Sequence, residues 1–311
     1  MTDLSVVIPA YNEAETIEAC LTSVTEQETD LDVEIIVCDD GSTDGTRELL
    51  AELTHRHPNL VVLRNSYNRG ILDTTQRLLR VSQGDAVLRI DADCQLQAES
   101  LQSCYQQLQD ADILYGRVDV ANTDKLHPAA CQYGKETGSG TWYGAACVGF
   151  SRDILDETDC FQGLRQNLER EVMNRAEQAN WSVVKTDEVA VSSEFPVSIT
   201  EWLPRKFDSG RVYVRECADS PDEFEWRELR GPAFWTCVFA SGLAFWLLPV
   251  LFAWVYMILQ VGPASRVGKI AGKRYVAGLY PYYKVAGGIT RTLGVYTELP
   301  LLLKTVWRKY A

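Results

Sequence analysis

Cations are scarce over most of this chain. Of its 30 Lys+Arg and 43 Asp+Glu, residues 231–311 hold 9 and 1, which leaves 21 and 42 for residues 1–230. A body near −21 argues against nucleic acid as a partner, because duplex binding rests on cationic contacts with phosphates. Such charge also suits a surface that must stay soluble in salt. Regular cysteine spacing is missing too: there are nine cysteines, an odd number, and no C-x-x-C. Neither a disulfide framework nor a zinc site is indicated, and the thiols read as small buried hydrophobes in a reducing compartment. Met1-Thr2-Asp3-Leu4 lacks the basic and apolar regions of a secretory signal, so the body is expected to be cytoplasmic. A glycine-rich N-terminal phosphate loop is absent as well, since Pro9-Ala10-Tyr11 stands there, and this argues against a nucleotidyltransferase.

What is present begins with Arg89-Ile90-Asp91-Ala92-Asp93-Cys94-Gln95, an apolar strand-like run that ends in two carboxylates one residue apart. Positions i and i+2 of a strand share a face, so Asp91 and Asp93 converge on one cation where the chain bends. Hard ions such as Mg2+ and Mn2+ take few protein carboxylates and complete their shell with water and phosphate oxygens. The bland alternative is a strand end followed by a helix cap.

Three βα repeats precede this point. Leu4–Pro9, Val33–Cys38 and Leu60–Leu63 read as buried strands, and a fourth runs from Ala86 to Ile90. Helices are expected from about Ala14 to Glu26, from Arg47 to His55 and up to about Ser82. The turn Asp39-Asp-Gly-Ser-Thr-Asp-Gly-Thr46 is of the kind that aims amides and a helix N-terminus at an anion. Such repeats imply a mostly parallel, Rossmann-like sheet with helices on both faces, and ligands bind beyond its strand ends. Tyr11, Glu13, Asp39, Asp40, Arg69, Asp91 and Asp93 all fall there.

In order, Val6-Val-Ile-Pro-Ala-Tyr-Asn-Glu-Ala-Glu-Thr-Ile17, Asp39 to Thr46, Asn68-Arg-Gly70 and Asp91-Ala-Asp93 resemble the signature of family-2 inverting glycosyltransferases of the GT-A fold. Asp91-Ala-Asp-Cys-Gln95 with Ala111-Asp-Ile-Leu-Tyr-Gly-Arg117 is similar to the dolichol-phosphate mannose synthase branch. The resemblance implies a donor site that includes Pro9, Tyr11, Glu13, Asp39, Asp40, Arg69 and Asp91, with Tyr11, Glu13 and Asp40 on the nucleoside. It places the metal, Mn2+ or Mg2+, on Asp91, Asp93 and Gln95.

In the acceptor half, Glu169 falls where the family places an Asp as general base. The substitution lengthens the side chain, and neighbouring Glu171 leaves the base unassigned between the two. A lipid phosphate acceptor needs no base, being already ionised. It needs cations, and Arg117, with Arg205 and Arg211 in a diverged version of the branch's basic loop, would supply them, unless they are surface ion pairs. The polymer synthases' Gln-x-x-Arg-Trp motif is absent, which disfavours a processive enzyme.

Residues 231–262 carry no charge and hold Phe234, Trp235, Trp246, Phe252, Trp254 and Tyr256. A run beyond about 18 apolar residues reads as membrane-embedded, and the following basic stretch suits an anionic membrane face. The expected organisation is a GT-A domain over 1–230, divided into nucleotide-sugar binding (1–117) and acceptor (118–230) halves, then a membrane-associated helical tail over 231–311. The expected activity is metal-dependent, inverting transfer of a sugar from a UDP- or GDP-linked donor to a lipid-linked acceptor, polyprenyl or dolichyl phosphate, at the cytoplasmic face of the cell membrane. Transfer to a glycan hydroxyl with Glu169 as base is the alternative, and a non-catalytic nucleotide-binding scaffold the remote one.

Overall fold

The structure, a computed structural model, describes residues 2–125, 128–130, 132–133, 143–162, 168–194, 203–204, 207, 211, 214, 256, 259–270, 280–281, 284, 286, 289, 291 and 293. By its contacts the chain divides into two compact units, Met1–Ala121 with Thr141–Glu194, and Asn122–Gly140 with Phe195–Ala311. The expected domain limit at residue 230 and most of the uncharged run lie outside the described residues.

The first unit opens with β1 (Leu4–Ala10), α1 (Ile17–Thr25), β2 (Val33–Asp39), α2 (Thr46–Arg56), β3 (Leu60–Arg64), α3 (Ile71–Val81) and β4 (Ala86–Ile90). It continues with β5 (Cys94–Leu96), α4 (Ser100–Gln107), β6 (Ile113–Val120), β7 (Tyr143–Ser151), α5 (Arg152–Glu157), α6 (Leu168–Ala179) and β8 (Val183–Ser193). The strands form one sheet in the order β3-β2-β1-β4-β7-β6-β8-β5. Neighbours β3, β2, β1 and β4 pair in parallel, as do β6 and β8, while β7 and β5 run against their partners.

Alternation along each buried strand feeds two cores. Leu4, Val6 and Ile8 of β1 pack on one side with Ile17 and Leu21 of α1, Leu50 of α2 and Leu101 of α4. Val7 and Val87 pack on the other side with Leu78 of α3, Ile154 of α5 and Val172 of α6. This two-faced burial is why the parallel strands read as continuous apolar runs. Pro9 fits the topology: the β1–β4 ladder ends at Val7 and Arg89, so the missing amide falls beyond it.

Two expectations are corrected. Helix α1 begins at Ile17, not Ala14, because Glu13 N–H donates to Thr46 Oγ1 and Ala14 N–H to Asp44 Oδ2, holding that stretch against the loop after β2. Asp91 and Asp93 do not share a strand face. The strand stops at Ile90, and Asp91-Ala92-Asp93-Cys94 is a tight turn closed by Cys94 N–H donating to Asp91 O at 3.1 Å.

In the second unit, α7 (Val261–Ile270) buries Ala264 and Val267 together with Ala129 and Tyr280. Ser265, Arg266 and Lys269 are exposed on it, as is Val261 at its start. Among the described residues no helix is long and apolar enough to cross a membrane.

Candidate active site

The carboxyl ends of β1, β2, β3 and β4 bring most of the expected donor residues to one edge of the sheet. Their backbone is fastened before any ligand arrives. Asp39 is fully buried, its Oδ1 accepting from Ser42 N–H at 2.9 Å and its Oδ2 from Arg47 Nε at 3.1 Å. Asp44 accepts from Thr46 N–H, and Thr43 N–H donates to Asn12 Oδ1 at 2.8 Å. The amides of Ser42, Thr43 and Thr46 are therefore taken by side chains. The loop after β2 cross-links the ends of β1 and β2 and does not hold those donors out to an anion.

Asp40 is almost as buried, and its carboxylate accepts three bonds from the loop after β3. Oδ1 takes Asn65 Nδ2 at 2.7 Å and Arg69 N–H at 2.9 Å, and Oδ2 takes Gly70 N–H at 2.9 Å. The expected nucleoside contact from Asp40 is thus a residue already engaged in shaping the loop that carries Arg69. The Arg69 side chain is half exposed and lies 3.5 Å from Asp73. Tyr11, at the end of β1, is 42% exposed and so offers ring surface at the site.

Glu13 stands beside the Asp91–Cys94 turn. Burial pushes its carboxyl up from the usual carboxylate range, and the charges of Asp93 and Asp91 add to this against the hydrogen bond it accepts from Thr16. Ligand atoms of Asp91, Asp93 and Cys94 lie within 4.8 Å of one another. The Cys94 thiol is buried, and desolvation beside those carboxylates drives its pKa far up; a soft sulfur is also a poor match for a hard cation. Partly exposed carboxylate oxygens are the donors a hard divalent cation takes. Gln95 is exposed on β5, opposite in alternation to the buried Cys94 and Leu96.

On the face covered by α6, Glu169 is half-buried and its carboxyl is raised by burial, with Lys185 pulling it back. A Cβ on Gly144 would stand 3.3 Å from Glu169 Oε2, so the glycine of β7 leaves room for that carboxylate. Tyr115 is buried nearby; its hydroxyl has no hydrogen-bond partner among the described residues, and burial and the charge of Glu169 keep it protonated. Glu171 lies 3.9 Å from Arg175 within the same helix.

Of the expected acceptor cations, Arg117 lies in the first unit. Arg117 is committed to Asp119 at 3.0 Å and Asp187 at 3.4 Å. This acid-rich surround competes with phosphate for its guanidinium. Arg211 belongs to the second unit, 6.0 Å over the Phe207 ring, and Arg205 lies outside the described residues.

Residue-by-residue reading overlooked Arg89. It is 2% exposed within β4, donates through Nη1 to Ala145 O and pairs through Nη2 with Asp91 Oδ1. The signal was a single charge inside the otherwise apolar run Ala86-Val-Leu-Arg-Ile90.

Known proteins share parts of this sequence and its fold. Over 92 residues the chain is 36% identical to Glycosyltransferase AglE of Haloferax volcanii, covering 29% of this chain and 30% of that protein. Over another 92-residue alignment it is 35% identical to a Dolichol-phosphate mannosyltransferase of Pyrococcus furiosus, covering 30% and 26%. The matched stretches thus span less than a third of those relatives' lengths. Among solved structures, the mannosyltransferase PcManGT of Pyrobaculum calidifontis, in complex with GDP-Man and Mn2+, matches with a TM-score of 0.56 at 18% identity, over 98% of this chain and 87% of that one. At that identity the likeness speaks for the GT-A-like fold. The model of the family described as Glycosyl transferase family 2 matches residues 5–171, from β1 through the start of α6, more than half of the sequence. This chain belongs to glycosyl transferase family 2.

Proposed function

We propose that this chain is a divalent-metal-dependent, inverting glycosyltransferase that moves a sugar from a nucleotide diphosphate sugar to a lipid-linked acceptor, polyprenyl or dolichyl phosphate, at the cytoplasmic face of the cell membrane. The observation that carries it is the Asp91–Cys94 turn, which sets two partly exposed carboxylates at the carboxyl end of β4 beside Glu13. The relatives' names support the donor class: PcManGT holds GDP-Man and Mn2+, and the Pyrococcus furiosus relative is a dolichol-phosphate mannosyltransferase.

Asp93, with Asp91 beside it, would hold Mn2+ or Mg2+, and Gln95 is the further candidate. When bound, the cation offsets charge that grows on the leaving diphosphate. The chain's own part is positioning. Asp39 and Asp40 hold two loops in place for the nucleoside, Tyr11 offers an exposed ring, and the acceptor oxygen attacks the anomeric carbon from the face opposite the leaving group, so configuration inverts.

The membrane assignment rests on the uncharged 231–262 run and the basic residues after it. Arg117, Arg205 and Arg211 are the acceptor-phosphate candidates.

A second reading is favoured by Glu169. A half-buried carboxyl raised above the usual range, with a glycine clearing space at its oxygen, has the makings of a general base for a hydroxyl acceptor. Transfer assays with Glu169→Gln decide between the two. A phosphate acceptor predicts no more than a modest loss, about threefold, and a hydroxyl acceptor predicts a loss of about 100-fold or more. No transfer to either acceptor class by the wild-type protein, under conditions where it binds donor, would overturn both.

A further inference from the structure

Arg89 is out of place by ordinary rules. Its β4 neighbours Val87, Leu88 and Ile90 are all fully buried and apolar, and desolvating a guanidinium among them is costly even when it is paired. A well-packed apolar residue at such a position is often as stabilising or more so. Its bonds show where the cation is directed. Nη1 donates to Ala145 O and Nη2 pairs with Asp91 Oδ1, while Nε has no partner among the described residues. The next residue of β7, Ala146, holds the backbone of Asp91 itself, because Asp91 N–H donates to Ala146 O at 3.2 Å. Asp91 is thus clamped through backbone and side chain, yet its side chain remains 30% exposed.

We propose that Arg89 is a positioning residue: an internal counter-cation that neutralises and orients Asp91 through Oδ1, so that Asp91 serves as a fixed acceptor and the divalent cation is left chiefly to Asp93. This rests on the metal reading given above. Glu13, Asp91 and Asp93 crowd three carboxylates around one turn. A buried cation that engages one of them holds the turn in its working shape before metal or donor arrives, which is the economy of a preorganised site.

The proposal makes a prediction whose sign differs from that of a structural role. A residue that merely braces β4 against β7 would, when replaced, loosen the turn and weaken metal binding. A counter-cation would, when removed, unmask Asp91 and strengthen it. In donor-free protein, Mn2+ binding read from the EPR signal of the unbound ion should tighten roughly tenfold in Arg89→Met, while kcat/KM for transfer falls roughly tenfold or more. Arg89→Lys, which keeps the charge, should hold Mn2+ affinity within about twofold of wild type. Arg89→Gln keeps an N–H for Ala145 O and makes the same prediction as Met should Met fail to fold. In Asp91→Asn protein, adding Arg89→Met should no longer tighten Mn2+ binding, because the effect runs through Asp91. Unchanged or weaker Mn2+ binding in a folded charge-removing variant overturns the proposal for Arg89 alone. No Mn2+ binding by the wild-type protein overturns the metal reading, and this proposal with it.

Discussion

Gly70 N–H donates to Asp40 Oδ2 at 2.9 Å, which ties the loop after β3 to the end of β2. Asp40 Oδ1 accepts from Arg69 N–H and Asn65 Nδ2 in the same cluster. In Asp40→Asn one oxygen becomes an NH2 group, and either orientation of the amide sets a donor against at least one N–H. The buried site leaves that clash unrelieved by water, so the variant should lose about 2–3 kcal/mol of stability, read by chemical denaturation. Donor KM should rise with it. Stability within 0.5 kcal/mol of wild type, an order-of-magnitude bound for neutral surface changes, would show that Asp40 does not hold this loop.

Gly41 sits against the same loop. Its φ is +75°, and a Cβ there would lie 2.6 Å from the Tyr67 carbonyl carbon and 2.8 Å from Asn68 N. Gly41→Ala pays a left-handed backbone penalty of about 1–2 kcal/mol and drives backbone into backbone, which no rotamer change relieves. The expected result is a drop in Tm of several degrees together with weakened donor binding. A variant with wild-type Tm would show that the loop after β3 yields freely.

Glu169 ties stability to pH with a definite sign. Burial raises its carboxyl above the ordinary value of 4.5. The folded state therefore holds this proton more tightly than the unfolded chain. The associated stability is fully present below the unfolded value and is lost as pH rises through the raised folded value. Glu169→Gln removes the cost of burying the ionised carboxylate, so Tm at pH 7 should rise by about 1–3 °C, with no gain near pH 4. If Glu169 is the base for a hydroxyl acceptor, the acid limb of kcat/KM lies above 4.5 in wild type and vanishes in the variant. A lower Tm for the variant at pH 7 would contradict the burial argument.

The tail makes a prediction of its own. Residues 231–311 hold 9 Lys+Arg against 1 Asp+Glu beside the uncharged run. Full-length protein should float with vesicles containing anionic lipid, and protein cut near residue 230 should float less. Each basic residue near the surface adds about 1 kcal/mol, lost in high salt, whereas embedded apolar residues are indifferent to salt. Binding that survives 1 M salt, far above the ionic strength that screens surface charge, points to insertion. Absence of flotation in both media would refute the membrane assignment.

Much of the nucleotide half was legible in the sequence because its strands are buried on both faces. Val33–Cys38 and Ala86–Ile90 are apolar runs with only Glu34 and Arg89 interrupting them, and each ends in a polar turn. The order of motifs after those strands then placed Asp39, Asp40, Arg69, Asp91 and Asp93 at one sheet edge. What was not legible depended on partners remote in sequence. The start of α1 is set by Asp44 and Thr46, some thirty residues away. The pairing of Arg117 is divided between its strand neighbour Asp119 and the distant Asp187, which no local pattern announces. Strand β5, three residues long, exists only because β8 offers Val191 to Ser193 as its partner. Arg89 carried the clearest overlooked signal, since a charge inside a buried strand demands a partner.

The central claim is that the Asp91–Cys94 turn binds a divalent cation together with a nucleotide sugar. The direct measurement is the thermal shift of purified protein with UDP- and GDP-sugars, each with and without Mn2+, for wild type and Asp93→Ala. A ligand at 100 times its Kd stabilises the native state by about 2.7 kcal/mol, which is several degrees for a domain of this size. The account predicts such a shift with one nucleotide class, requiring Mn2+ and lost in Asp93→Ala. An equal shift without Mn2+, or one kept in full by Asp93→Ala, would contradict it.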